Sequence, residues 1–184
     1  YGLFSSITSN LANAGGLGYT PAILLPKEED RAVALLRLNL LLVVALVLIT
    51  MPVFLLPTVL YRLAPNWAVM GDWCMLVPLM TLILALNQAL IAWAMRMKAF
   101  SFSAKNNSIT ILALRLVNLG IGLLTKGATW GLVLSDTLVR GCSAVAYVIG
   151  LRKHGLTQVA KRRTRAELLA VAMEYKEYPR YVFP

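Results

Sequence analysis

The chain has 184 residues, 59% of them hydrophobic and only 14% charged, with a mean hydropathy of +0.70. A soluble domain carries about a quarter charged residues and under half apolar ones, so this composition excludes a soluble enzyme, a disordered tail and a secreted disulfide scaffold. The net charge of +10 would suit nucleic acid, but the 18 basic residues sit in short segments between apolar runs. They form no stripe interleaved with aromatics, so no nucleic-acid partner is expected.

The pattern predicts an all-α integral membrane protein with five spans, at about 3–25, 35–61, 74–95, 108–125 and 128–151. In the first, Ser, Thr and Asn recur, including Asn10 and Asn13, and Gly15, Gly16, Gly18 and Pro21 interrupt it. Such a segment is a poor lipid-facing helix and a good wall for a polar cavity. The second is the most apolar: Leu38 to Leu60 carries no charge, a run longer than the roughly 18 residues a bilayer core requires. Pro52 and Pro57 are expected to kink its far half. Cys74 to Met95, the third span, is also uncharged. Only Lys126-Gly127 separates the last two, which predicts a tight helical hairpin.

Residues 152–184 read as a cytoplasmic basic amphipathic linker. Lys161, Arg162, Arg163 and Arg165 precede Leu168, Leu169, Val171 and Ala172, a pattern that suits a helix at the inner interface. Anionic membrane lipid is the expected partner, at about 1 kcal/mol for each basic residue; a merely solvated linker is the alternative. His154 lies among these charges as an interface residue, and no His, Cys and carboxylate cluster has metal spacing. No metal and no cofactor is expected. Cys74 and Cys142, each within apolar sequence, read as packing residues. The chain opens without an initiator Met or a signal peptide, and reads as a piece of a longer membrane protein.

Loop charges set the orientation. Fourteen basic residues follow the first, third and fifth spans; Arg62 and Lys126 alone lie on the other side, and Arg115 and Arg140 lie inside spans. The side with fourteen is therefore expected to be cytoplasmic, and the chain to end inside.

Ionisable groups within a bilayer cost about 2.5–3.5 kcal/mol each on insertion scales, so they face a cavity or a partner. Three qualify here: Arg115, Asp136 and Arg140. Asp136 and Arg140 are four residues apart and share a helix face, so a structural pair is one reading. The other is that Arg140 and Arg115 receive an anionic head group through bidentate guanidinium–phosphate contacts. Asn118 would share the face of Arg115, while Asn87, Gln88 and Asn13 add amide donors and acceptors to a common polar interior.

Several stretches resemble the polysaccharide flippases of the multidrug/oligosaccharidyl-lipid/polysaccharide exporter superfamily. Tyr1-Gly2-Leu3-Phe4-Ser5 is similar to the start of that family's second helix, and Tyr19-Thr20-Pro21-Ala22-Ile23-Leu24-Leu25-Pro26-Lys27, with Glu28-Glu29-Asp30, to its end. Gln88-Ala89-Leu90, Trp93, Arg96 and Phe100 resemble the fourth helix and the loop beyond. Gly131-Leu132-Val133-Leu134-Ser135-Asp136 with Arg140-Gly141 resembles the sixth, and Tyr175 to Tyr181 with Pro184 the entry to the seventh. Family members often carry Arg and an acidic residue beside the helix-two tyrosine; here Gly18 and Thr20 flank Tyr19.

The resemblance implies most of the N-terminal lobe of a two-lobe, twelve-helix transporter, its first helix and C-terminal lobe lying outside this chain. It implies transport of an undecaprenyl-linked oligosaccharide across the bacterial inner membrane for O-antigen, capsule or exopolysaccharide assembly, with no chemical change. Cavity candidates are Arg140, Arg115, Asn118, Asp136, Asn87, Gln88, Asn13 and Tyr19. A drug or cation antiporter of the same superfamily and a multispan lipid-linked transferase are the alternatives. An antiporter for cations would want acids to exceed bases in the membrane, and a transferase would want carboxylates or histidines near the interface.

Overall fold

Apolar runs without water to satisfy their backbone must bond internally, which makes them helices. The computed structural model describes residues 1–26, 28–56, 62, 73–125, 129–154, 156 and 165–177. Its elements in chain order are α1 (Gly2–Gly15), α2 (Tyr19–Ala22), α3 (Glu29–Leu55), α4 (Val77–Arg96), α5 (Phe100–Leu124), α6 (Thr129–Leu151), a 3-10 turn (Arg152–His154) and α7 (Arg165–Glu174). All described elements are helical, and four helices are long and apolar enough to cross a membrane: Glu29–Leu55, Trp73–Arg96, Phe100–Leu124 and Thr129–Leu151.

The first expected span differs. Residues 3–25 fold as two pieces, α1 and α2, separated at Gly16–Gly18, and neither piece is among the four long helices. Leu17 and Gly18 take left-handed conformations (φ 44° and 75°), which ends α1 and redirects the chain. Asn39 of α3 packs against this break. A Cβ placed on Gly16 would lie 2.6 Å from Asn39 Oδ1 and 2.8 Å from Thr20 Oγ1, so only glycine fits.

Helix starts also fall earlier than the apolar runs suggest. The α3 helix begins at Glu29, where two carboxylates in its first turn favour the positive end of the helix dipole. The α5 helix begins at Phe100 rather than near residue 108, because its polar first turns bond α6: Ser103 pairs with Tyr147 (3.0 Å) and Asn106 Nδ2 donates to Ser143 Oγ (3.0 Å). The Lys126-Gly127 turn lies outside the described residues, as do Lys27, Pro57, Lys161, Arg162, Arg163 and the residues from Tyr178 to Pro184. Pro52 lies inside α3.

The α4 helix lies at the centre, touching α1, α3, α5 and α6. Its alanines at 85, 89, 92 and 94 let neighbours approach, and Trp93 fills the space beside them with no exposure. Around Trp93 gather Ile23, Val33, Leu36, Tyr147 and Leu151, the core at one end of the bundle. At the other end Phe4, Phe54, Cys74, Val77, Met80 and Val133 form a second cluster. There Trp73 and Trp130 stack with ring centroids 6.4 Å apart, a placement that suits an interfacial aromatic belt. Cys142, unlike Cys74, is exposed.

By contrast α5 buries no residue, and Ile109, Leu112, Leu116, Leu119, Leu123 and Leu124 are all at least 60% exposed. It is held to α6 by polar pairs and by glycines. A methyl group on Gly131 would meet Ile121 Cγ2 at 2.5 Å, and one on Gly150 would overlap the Phe102 ring, 2.6 Å from Cε2.

The helix expected to lie on the membrane is α7, and it docks on the bundle. Val171 is buried in the core beside α3, Leu168 and Tyr175 are partly buried there, and Leu169 and Met173 face outward. Arg31 joins the helices, its Nη1 lying 2.6 Å from Glu174 Oε1 and its Nε 2.9 Å from Glu28 Oε2. These exposed pairs orient α7 more than they stabilise it.

Candidate functional site

The i, i+4 spacing on α6 places Asp136 and Arg140 on one face, and they are paired: Arg140 Nε donates to Asp136 Oδ1 at 2.7 Å. The two sides of the pair differ. Asp136 is 1% exposed, whereas 35% of the Arg140 side chain is open. A buried carboxylate needs its cation, so Asp136 holds the guanidinium in place through Nε, and neither Nη group has a hydrogen-bond partner among the described residues.

Other helices complete the cluster. The Tyr1 phenol at the start of α1 lies near the Asp136 carboxylate, with Arg140 and Arg115 as the neighbouring cations. Asn87 of α4 donates from Nδ2 to the Arg140 carbonyl (3.1 Å) and to its own helix at Ile83 (2.9 Å). That cross-helix bond fixes the level of Arg140 against α4. The cluster thus draws on α1, α4, α5 and α6, with one carboxylate and two cations inside otherwise apolar helices.

The remaining candidates separate from it in three ways. Asn118 bonds Ser135 across the α5–α6 contact, on the same helix as the exposed Arg115 of the cluster. Gln88 Nε2 donates to Asn13 Oδ1 at 2.8 Å, tying α4 to α1. Tyr19 lies at the α7 end, donating its hydroxyl to the Ala172 carbonyl at 3.1 Å. These amides and this phenol therefore join helices, the commoner use of polar groups in membrane bundles.

Two participants escape sequence reasoning. Tyr1 gives no signal of this role, because Asp136 lies 135 residues further along the chain. Asn39, 1% exposed, accepts from Thr20 Oγ1 at 3.3 Å beside the α1–α2 break, while its Nδ2 has no partner among the described residues. An amide amid the uncharged second span was the available signal.

Among the described residues no group of three His, Cys, Asp or Glu side chains could hold a metal ion. Comparison with known proteins returns no match: no family model, no curated protein and no solved structure.

Proposed function

We propose that this chain is part of a transporter that carries an undecaprenyl-linked oligosaccharide across the bacterial inner membrane for surface polysaccharide assembly. The single observation behind this reading is the Asp136–Arg140 pair, a partly exposed arginine side chain held by a buried carboxylate inside apolar helices. A lipid phosphate can bind the unoccupied part of that fork, or exchange with Asp136 for all of it. Arg115 adds charge at the rim, while Asn87 and Tyr1 supply polar partners for a sugar. The polyprenyl tail can stay in lipid.

The work needs no bond-making group, only a polar interior that opens alternately to each face. A two-lobe, twelve-helix arrangement would supply the opposing wall. In this reading the end of the bundle where α3 begins and α4 ends faces the cytoplasm, because basic residues concentrate there. The segment from Lys161 to Arg165 would then meet anionic lipid.

The test is polysaccharide export in a flippase-deficient strain carrying variants of the full-length protein. Arg140→Gln should abolish export measured per copy of protein in the membrane. Arg140→Lys should act partly, since an ammonium keeps charge without the planar fork. Normal export by the Asp136→Asn/Arg140→Gln double variant at normal abundance would remove Arg140 from the site and leave Arg115 as the cation. A covalently altered lipid-linked sugar would indicate a transferase, and restored drug tolerance without export an antiporter.

A further inference from the structure

At the end of the bundle where α2 and α4 stop, a notch of about 530 Å³ opens between the two turns, lined by Leu24, Pro26, Glu29, Met95, Arg96, Met97, Lys98 and Phe100. Its chemistry is divided. Leu24, Met95 and Phe100 are 43%, 39% and 59% exposed and give it an apolar wall. Arg96, Lys98 and Glu29 supply charge.

Arg96 is already committed. Its Nη1 donates to the carbonyls of Ile23 (3.3 Å) and Pro26 (2.5 Å), and its Nη2 to that of Glu28 (3.2 Å). The guanidinium therefore shapes the notch by fixing the chain from Ile23 to Glu28. Glu29 and Lys98 differ: each is exposed, and among the described residues neither has an ion-pair or side-chain hydrogen-bond partner. One free carboxylate and one free ammonium thus line the same cavity without meeting each other.

The notch sits at the ends of long apolar helices, where head groups meet acyl chains. We propose that it binds a zwitterionic phospholipid with a primary-amine head group, of the phosphoethanolamine type. Lys98 receives the phosphate, with any spare Arg96 donor beside it. Glu29 accepts from the lipid ammonium, and the first methylenes of the acyl chains lie on Leu24, Met95 and Phe100. An anionic lipid satisfies Lys98 but sets its charge against Glu29. A trimethylated head group carries the right charge but has no N–H to donate to the carboxylate.

Native mass spectrometry of the purified full-length protein, in nanodiscs of phosphatidylethanolamine, phosphatidylglycerol and phosphatidylcholine mixed equally, tests this. Phosphatidylethanolamine should be retained over each of the others by roughly tenfold, the factor that one charge-assisted hydrogen bond supplies. Glu29→Gln should reverse the order in favour of phosphatidylglycerol, a gain that a misfolded protein would not show. Lys98→Gln should lower retention of both. Glycerophosphoethanolamine, which has the head group but no chains, should fail to displace the bound lipid. Equal retention of the three lipids, an unchanged order in Glu29→Gln, or displacement by the chainless head group would overturn the proposal.

Discussion

The Asp136–Arg140 pair makes an asymmetric prediction for stability. Removing one partner of a buried ion pair costs about 3–5 kcal/mol, because the other charge is left stranded. The stranded group differs between the two truncations. Arg140→Ala strands Asp136, which is 1% exposed. Because Arg140 itself is 35% open, part of the pair is solvated already, and the expected loss is about 2–3 kcal/mol. That corresponds to roughly 30- to 140-fold in the folded population. Asp136→Asn strands a guanidinium that can turn outward, so about 1 kcal/mol should be lost. The double variant Asp136→Asn/Arg140→Ala strands no charge and should fall within about 1 kcal/mol of the parent, giving a coupling energy of about 2 kcal/mol. Reversible unfolding in mixed micelles, or steric trapping in bicelles, measures all four corners of the cycle. Additive single effects, or an Asp136→Asn loss equal to that of Arg140→Ala, would refute the reasoning from burial.

Gly150→Ala should destabilise the α5–α6 contact by about 1–3 kcal/mol through overlap with Phe102, and Phe102→Leu in the same chain should restore much of the loss in thermal melts. For orientation, in a background with both native cysteines replaced, a cysteine at Arg62 should react with an impermeant thiol reagent in whole cells, and one at Lys153 only after permeabilisation. The reverse pattern would invert the topology inferred from the charge bias.

How much of this was legible beforehand depends on the range of the interactions. The uncharged runs from Leu38 to Leu60 and from Cys74 to Met95 announced helices, because a bilayer offers the backbone no other solution. The glycines at 15, 16 and 18 marked a weak first span. That the chain breaks there, with Asn39 packed into the gap, depends on a contact across more than 20 residues, which local pattern does not encode. The α5 start was misplaced for the same reason, since residues 100–107 look like a polar loop until Tyr147 and Ser143 are set opposite them. At the site, the pair on α6 followed from its spacing, whereas Tyr1 and Asn87 joined it only through tertiary packing. Tyr19 and Gln88 were polar residues of the expected kind, but their partners turned out to be neighbouring helices. The docking of α7 was equally hidden, because an amphipathic helix looks the same whether its apolar side meets lipid or protein.

The α5 helix, with no interior of its own, has a consequence for how its sequence carries information. Where a side chain meets no protein neighbour, nothing records its shape: Leu, Ile, Val and Met are interchangeable at Ile109, Leu112, Leu116, Leu119 and Leu123, and only their apolarity is read. Shape is read instead at the few positions where α5 and α6 meet, Asn106 and Asn118 on α5 and Gly131 and Gly150 on α6, which accept almost no substitute. Saturation mutagenesis of this hairpin should therefore return a nearly binary map, with a few intolerant letters in a text that elsewhere specifies only a solvent.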